Sequence, residues 1–484
     1  MTRLTDRRLP AARPALAFLG ALAIAALSAT ASFAQDAITP TVDKGDTTWM
    51  LVSTILVLLM IIPGLALFYG GLVRVKNMVS MLSQVTAVTV IGIVMWVVWG
   101  YSFAFTDGGP LDLFVGGFSK MFLAGVTPES LAGTFSVGVY IPELVFVMFQ
   151  ATFACITAAL VLGGVAERMK FSAVVIFAVL WPLLVYYPMA HMVWWWPGPD
   201  AIASNPEAPV RAGLLWNFGA LDFAGGTVVH INSGIAALVG AVILGPRHGY
   251  RRELMAPHSL TLTMVGAGLL WVGWFGFNAG SNLEANGYAA LAMVNTFVAT
   301  AAAAISWMAM EWITKKKPSL LGLASGAVAG LVAVTPAAGF SGPMGAVILG
   351  LIVSPICLTF CSGVKHALGY DDSLDAFGIH GVGGIVGAIG TGIVVSPALG
   401  GAGIVDYTTC AADGDILTCG AVAYSMVGQV FAQIKAVLVA ILWSGIGSSA
   451  IFFLIRALTG GRVSHEIEIE GLDLREHGEA AYHA

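Results

Sequence analysis

His230 and His380 are the two imidazoles around which chemistry can be read in this chain. Each opens the same apolar pattern, His230-x-x-x-Gly234-Ile235-x-x-x-x-Gly240 and His380-x-x-x-Gly384-Ile385-x-x-x-x-Gly390, and each has a carboxylate upstream, Asp222 or Asp375. An ionisable residue at membrane depth is costly and by default faces a protein interior or a pathway. A neutral imidazole offers one N–H donor and one acceptor nitrogen. Two such rings can share a proton and line a narrow pore. The competing reading, a hydrogen-bonded packing residue between helices, suits a single histidine better than a repeated pair. His191, between Met189 and Met192, has no repeat partner and reads as structural.

Asp222 precedes Gly225 and Gly226, where a helix is expected to start. A carboxylate there accepts free backbone N–H groups of the first turn, and Asp375 can do the same for the later copy. A compatible second role for Asp222 is an electrostatic bias toward a cation. Rings gather nearby: Trp194, Trp195 and Trp196 in one run, and Trp271, Trp274, Phe275 and Phe277 in another, with Ser281 following. Most fit an interfacial aromatic belt. Aromatic faces also attract cations, and Phe149 and Phe153, one helical turn apart, can join them. A cage of rings with one hydroxyl suits a small cation such as ammonium. Which rings belong to it is left open by the sequence.

The elements that must position these residues are membrane helices. Hydrophobic residues make up 58% of the 484 and charged ones 10%, against roughly 25% charged in a soluble domain. The 59 glycines allow membrane helices to approach closely. A span needs about 20 apolar residues. Such segments run at 49–73, 80–105, 140–165, 171–196, 222–244, 259–280, 288–312, 319–335, 343–361, 376–395 and 424–456. The expected fold is therefore an all-α polytopic membrane protein with eleven transmembrane helices. It reads as an inverted repeat of five plus five helices and a final one, because an odd number of spans per repeat inverts the second copy.

Residues 1–34 read as a cleaved secretory signal peptide: Arg3, Arg7, Arg8 and Arg13, an apolar stretch from Ala15 to Leu27, then Ser32-Phe33-Ala34. An uncleaved first helix is the alternative. The transport domain would span 35–456 and a cytoplasmic tail 457–484. Lys and Arg concentrate after the odd-numbered spans, at Arg74, Arg168, Arg247, Lys315, Lys365 and Arg456 among others. The positive-inside rule then puts the N-terminus outside and the C-terminus inside the cytoplasmic membrane. Cys410 and Cys419 flank a loop on the outer side, where a disulfide is permitted. Neither they nor the other three cysteines have zinc-ligand or redox spacing, and phosphate-loop, dinucleotide and hydrolase motifs are missing from the sequence. Neither a cofactor nor a metal is expected, nucleic acid is not a partner, and an enzyme is the remote reading.

Asp222-Phe-Ala-Gly-Gly-Thr-Val-Val-His-Ile-Asn232 resembles the hallmark segment of the ammonium transporter family, which is related to the Rhesus proteins. The resemblance extends through Phe149-Gln-Ala-Thr-Phe153, Ala190-His-Met-Val-Trp194, Gly273-Trp-Phe-Gly-Phe-Asn-Ala-Gly-Ser281 and Phe377-Gly-Ile-His380, into the tail at Glu470-Gly-Leu-Asp-Leu-Arg-Glu-His-Gly-Glu479. It implies a homotrimer in the lipid bilayer with one pore per protomer. By analogy Phe149, Trp194 and Ser281 bind ammonium or its analogue methylammonium, Phe153 and Phe277 form a gate, and His230 and His380 line the pore. Ammonium would lose its proton near the outer site, with ammonia and the proton passing separately. The tail resembles those that dock PII-type signalling proteins. A sensor signalling through its tail is the alternative of a different class. Its usual fused signalling domain is not matched by the few dozen residues after Arg456. A Rhesus-type gas channel is the alternative within transport.

Overall fold

The computed structural model describes residues 40–411 and 414–482. The expected signal segment, 1–34, lies outside the described residues. Among the described residues, eleven helices are long and apolar enough to cross a membrane. They are α1 (Lys44–Leu72), α2 (Val75–Phe105), α3 (Glu143–Val165), α4 (Phe171–Ser204), α5 (Gly226–Leu244) and α6 (Leu260–Gly280), then α7 (Gly287–Lys315), α8 (Leu320–Ala337), α9 (Pro343–Leu368), α10 (Phe377–Val394) and α11 (Met426–Thr459). Helices suit this setting because they satisfy every backbone polar group within the segment. Large apolar side chains such as Ile55, Val242 and Ile446 stand 67%, 62% and 71% exposed on the outside of the bundle, where acyl chains can cover them.

The boundaries differ from those expected where polar residues mark the ends. α5 begins at Gly226 rather than at residue 222, because Asp222 stands before the helix and caps it. α9 runs on to Leu368, past the 361 expected from hydropathy, because Ser362, Lys365 and His366 continue the helix in polar surroundings. Ser259, Asn286, Ser319 and Ser425 cap α6, α7, α8 and α11 through their side-chain oxygens.

Equivalent helices of the two halves pack on each other, α1 against α6 and α5 against α10. Glycine permits both approaches. A Cβ on Gly234 of α5 would lie 2.2 Å from the Gly381 nitrogen of α10, and one on Gly273 of α6 would lie 2.4 Å from Met60 Cβ of α1. α1 is interrupted at Ile62, whose backbone is extended before Pro63. The main helix of α4 stops at Trp194, with Trp195 extended before a short helix at Pro199–Ser204.

The two ends of the bundle differ. One carries a small sheet in which β1 (Thr41–Val42) pairs in parallel with β3 (Val139–Pro142), and β2 (Leu131–Gly133) pairs antiparallel with β3. The same end holds a hairpin of β4 (Val405–Asp406) and β5 (Gly420–Ala421), closed by a Cys410–Cys419 disulfide. The opposite end is held by buried charges. Arg247 donates to Glu167 at 2.8 Å and to Asp371 at 2.9 Å, and Arg74 donates to Glu167 at 3.0 Å. Burial by itself raises the Glu167 carboxyl, but Arg247 and Arg74 outweigh it and hold it down at about 2. Fully buried Arg168 donates to the carbonyls of Gly164 and Asp371, both at 2.8 Å. These contacts gather the chain after α1, α3 and α5 and before α10 at one end.

The tail joins that end. Asp473 accepts from the Val79 and Ser80 amides of α2 at 3.0 and 2.8 Å, and Glu476 accepts from the Phe171 amide of α4 at 2.9 Å. Carboxylates at helix N-termini are stabilised by the free amides and the helix dipole.

Candidate functional site

Aromatic rings form a continuous column along the interior. Phe149 and Phe153 of α3 have centroids 4.9 Å apart, and Phe153 stacks on Phe277 of α6 at 4.2 Å with 17° between the planes. Trp194 meets Phe153 edge-on at 5.9 Å. Its indole N–H donates to the Asp222 carbonyl at 2.9 Å, which ties the end of α4 to the start of α5. Ser281, just past α6, donates its hydroxyl to the Phe277 carbonyl at 2.8 Å, leaving the oxygen's lone pairs for another donor. Phe149, Phe153 and Phe277 are at most 1% exposed. The stacked Phe153–Phe277 pair therefore lies between Trp194 and the histidines.

Below the stack lie the histidines. His230 is 6.1 Å from Phe277 and 5.4 Å from His380, ring to ring, and the two Nδ1 atoms are 3.3 Å apart. Both occupy π-helical turns, Gly226–Ile231 and Phe377–Gly381, that open their helices; such turns occur often at functional sites. Trp274 stacks on His230 at 5.3 Å and is itself held by a 2.9 Å hydrogen bond from its indole to Thr335 Oγ1. In the sequence Trp274 is one ring among several, and only its spacing from Phe277 sets it apart. The histidines border a cavity of about 10 Å³ walled by Met60, Leu65, Ile156, Leu160, Trp274 and Phe277. That volume matches roughly one water-sized molecule and excludes a hydrated ion.

Asp222 accepts the amides of Gly225 at 2.9 Å, Thr227 at 2.8 Å and Val228 at 3.2 Å, and also those of Gly226 and the Thr227 hydroxyl. Its oxygens are occupied by the first turn of α5, which is the capping geometry. The expectation for Asp375 does not hold. The carboxylate that caps α10 is Asp372, accepting the amides of Ala376 at 3.0 Å, Phe377 at 2.9 Å and Gly378 at 3.1 Å. Asp375 instead pairs with Lys365 at 2.5 Å, and its backbone is left-handed with φ 60°. Spacing alone could have found Asp372. It lies 150 positions after Asp222, as His380 lies 150 after His230.

Among the described residues no group of three or more His, Cys, Asp or Glu side chains is placed to hold a metal ion. The candidate site combines aromatic faces, two imidazoles and capped helix starts.

Residues 48–482 match the model of the Ammonium Transporter Family. The chain belongs to this family. An ammonium transporter from Aquifex aeolicus is 45% identical over 468 residues, covering 97% of this chain and 99% of that one. One from Bacillus subtilis is 42% identical over 440 residues, covering 90% and 98%. Among solved structures, Saccharomyces cerevisiae Mep2 superposes with a TM-score of 0.74 at 32% identity, over 88% of each chain. A structure named Sensor Amt Protein gives 0.76 at 26% identity, over 90% of this chain and 98% of that one. Within the family, the eleven helices and the paired α5 and α10 described above form the fold on which the site residues stand.

Proposed function

We propose that the protein carries ammonium across the cytoplasmic membrane by splitting it into ammonia and a proton. Ammonium is drawn to the rings of Phe149 and Trp194 and to the lone pairs of Ser281. It releases its proton there, ammonia passes the Phe153–Phe277 gate when the rings swing apart, and the two imidazoles hydrogen-bond it onward. The proton crosses separately, so that net ammonium is moved. The observation that carries this reading is the histidine pair, joined Nδ1 to Nδ1 at 3.3 Å beside a cavity too small for a hydrated ion. Stripping an ion of water at the bilayer midplane is costly, whereas neutral ammonia both donates to and accepts from imidazole. Potassium, similar in size to ammonium, has no proton to give up.

The same reading includes a homotrimer with the N-terminus outside, residues 1–34 removed as a signal peptide, and a PII-type protein on the cytoplasmic tail. Support for the orientation is the gathering of Arg74, Arg168, Arg247 and Arg462 at one end. The test is electrophysiology on reconstituted protein, comparing ammonium pulses with potassium pulses. Ammonium-evoked current with potassium silence is expected. No current and no uptake would overturn the reading.

A sensor signalling through its tail is the second reading. It is favoured by the close seating of Asp473 and Glu476 on the starts of α2 and α4 and by the similarity to the Sensor Amt Protein structure. A protein that binds ammonium without moving it in the same assay would be a sensor.

A further inference from the structure

We propose that Ser53 is a second polar anchor of the Phe149 ligand site, accepting an N–H of the small ammonium-type cation. The inference rests on the transport reading above and adds a residue to its first binding step. Ser53 is on α1, 0% exposed, and its hydroxyl has no hydrogen-bond partner among the described residues. Its neighbours on the same helix behave differently. The hydroxyls of Thr47, Thr48 and Thr54 each return to the carbonyl four residues earlier, at 2.7, 2.7 and 2.8 Å. A buried hydroxyl left unpaired costs stability, and a partner bound only in function would satisfy it.

The position of the hydroxyl says what that partner is. Ser53 packs on α6 at Gly276 and Gly280. A Cβ built on Gly280 would be 2.8 Å from Ser53 Oγ and 3.0 Å from Phe149 Cε2. The hydroxyl and the ring edge therefore converge on the same face of Gly280, kept bare by the missing side chain. The next residue is Ser281, whose oxygen has lone pairs to offer. A ligand resting on the edge of Phe149 thus meets the Ser53 hydroxyl beside Gly280, with Ser281 the next residue along the chain. Rings attract a cation without satisfying its N–H groups, and hydroxyl oxygens satisfy them. A tetrahedral cation with several N–H groups, ammonium or methylammonium, fits this combination of faces and acceptors.

The test uses the full-length protein in proteoliposomes, with Ser53→Ala, Ser53→Cys and Trp194→Ala beside the wild type. Half-saturating ammonium and maximal current come from solid-supported membrane recordings, and Tm is measured in parallel. Loss of one hydrogen bond of ordinary strength predicts a rise of about fivefold in half-saturating ammonium for Ser53→Ala. Maximal current should be kept and Tm should not fall. Ser53→Cys, close in volume but a weak acceptor, should show a similar rise. Half-saturation within twofold of the wild type in Ser53→Ala would overturn the proposal, and so would a normal Ser53→Cys beside an impaired Ser53→Ala, which would make Ser53 a packing residue. If Trp194→Ala shifts half-saturation while Ser53→Ala does not, Ser53 alone is wrongly placed. If the wild type carries no ammonium, the transport reading fails and this inference fails with it.

Discussion

Nδ1 of His230 lies 3.3 Å from Nδ1 of His380, and both rings are buried, at 1% and 4% exposure. Two nitrogens at that distance make a hydrogen bond only if one donates and the other accepts. Such a bond takes one N–H placed between the two rings, and both histidines border the cavity. Nε2 of His230 has no partner among the described residues. This places an available ring nitrogen where a small molecule in the cavity can meet it.

Replacing either imidazole by a carboxylate should change what is carried. His230→Asp or His380→Asp puts a fixed negative charge beside the cavity and removes the shared proton. A cation can then be tolerated without being split. Potassium currents are expected in both variants and not in the wild type, measured in proteoliposomes under matched gradients. Two variants that still exclude potassium would sink the proton-splitting account.

The two carboxylates before α10 should behave differently. Asp372 holds three amides of the helix start, while Asp375 pairs with Lys365, the two side chains 38% and 18% exposed. Asp372→Ala should destabilise by at least the ~0.5–2 kcal/mol of a lost N-cap, with loss of ammonium current because the His380 turn follows directly. Asp375→Ala should cost less than Asp372→Ala, because it removes one ion pair and no helix-start amide contact. Tm values for the two variants, read side by side, decide it.

Glu167 gives a pH dependence with a definite sign. Its folded value, about 2, lies below its ordinary 4.5. A carboxyl depressed by folding stabilises the fold above its ordinary value and loses that contribution as pH falls through the folded one. Tm of the wild type should therefore drop through the window from about 4.5 down to about 2, part of which Glu167→Gln should not show. At neutral pH the same variant strands Arg74 and Arg247, and breaking a buried pair in this way costs roughly 3–5 kcal/mol. Equal Tm profiles would remove Glu167 from the network's role.

Gly234 is where α5 and α10 come closest. A Cβ there would sit 2.2 Å from the Gly381 nitrogen and 2.3 Å from its Cα, both backbone atoms. Gly234→Ala must push the helices apart, and the histidine contact with them. Overpacking of this kind costs typically 1–3 kcal/mol. Ammonium current should fall at least tenfold in protein that still assembles. Wild-type current in Gly234→Ala would show that the His230–His380 distance is not critical.

The sequence by itself determined the spans. A bilayer supplies no hydrogen-bond partners, so each crossing must be a helix of about 20 apolar residues, and that demand is written locally. It also marked the histidines, because a repeat offset of 150 positions is visible as pattern. The same offset marks Asp372, but Asp375 stands nearer the helix and drew the capping role on proximity alone. The tertiary structure decided the rest. Which of many rings stack depends on how α3 and α6 cross, and that crossing sets Phe153 on Phe277 and Trp274 on His230. The buried charges join residues 80 and 124 positions apart, a pairing that no local preference encodes. Spans follow from the solvent each residue must meet; the site follows from which distant residues the packed helices bring together.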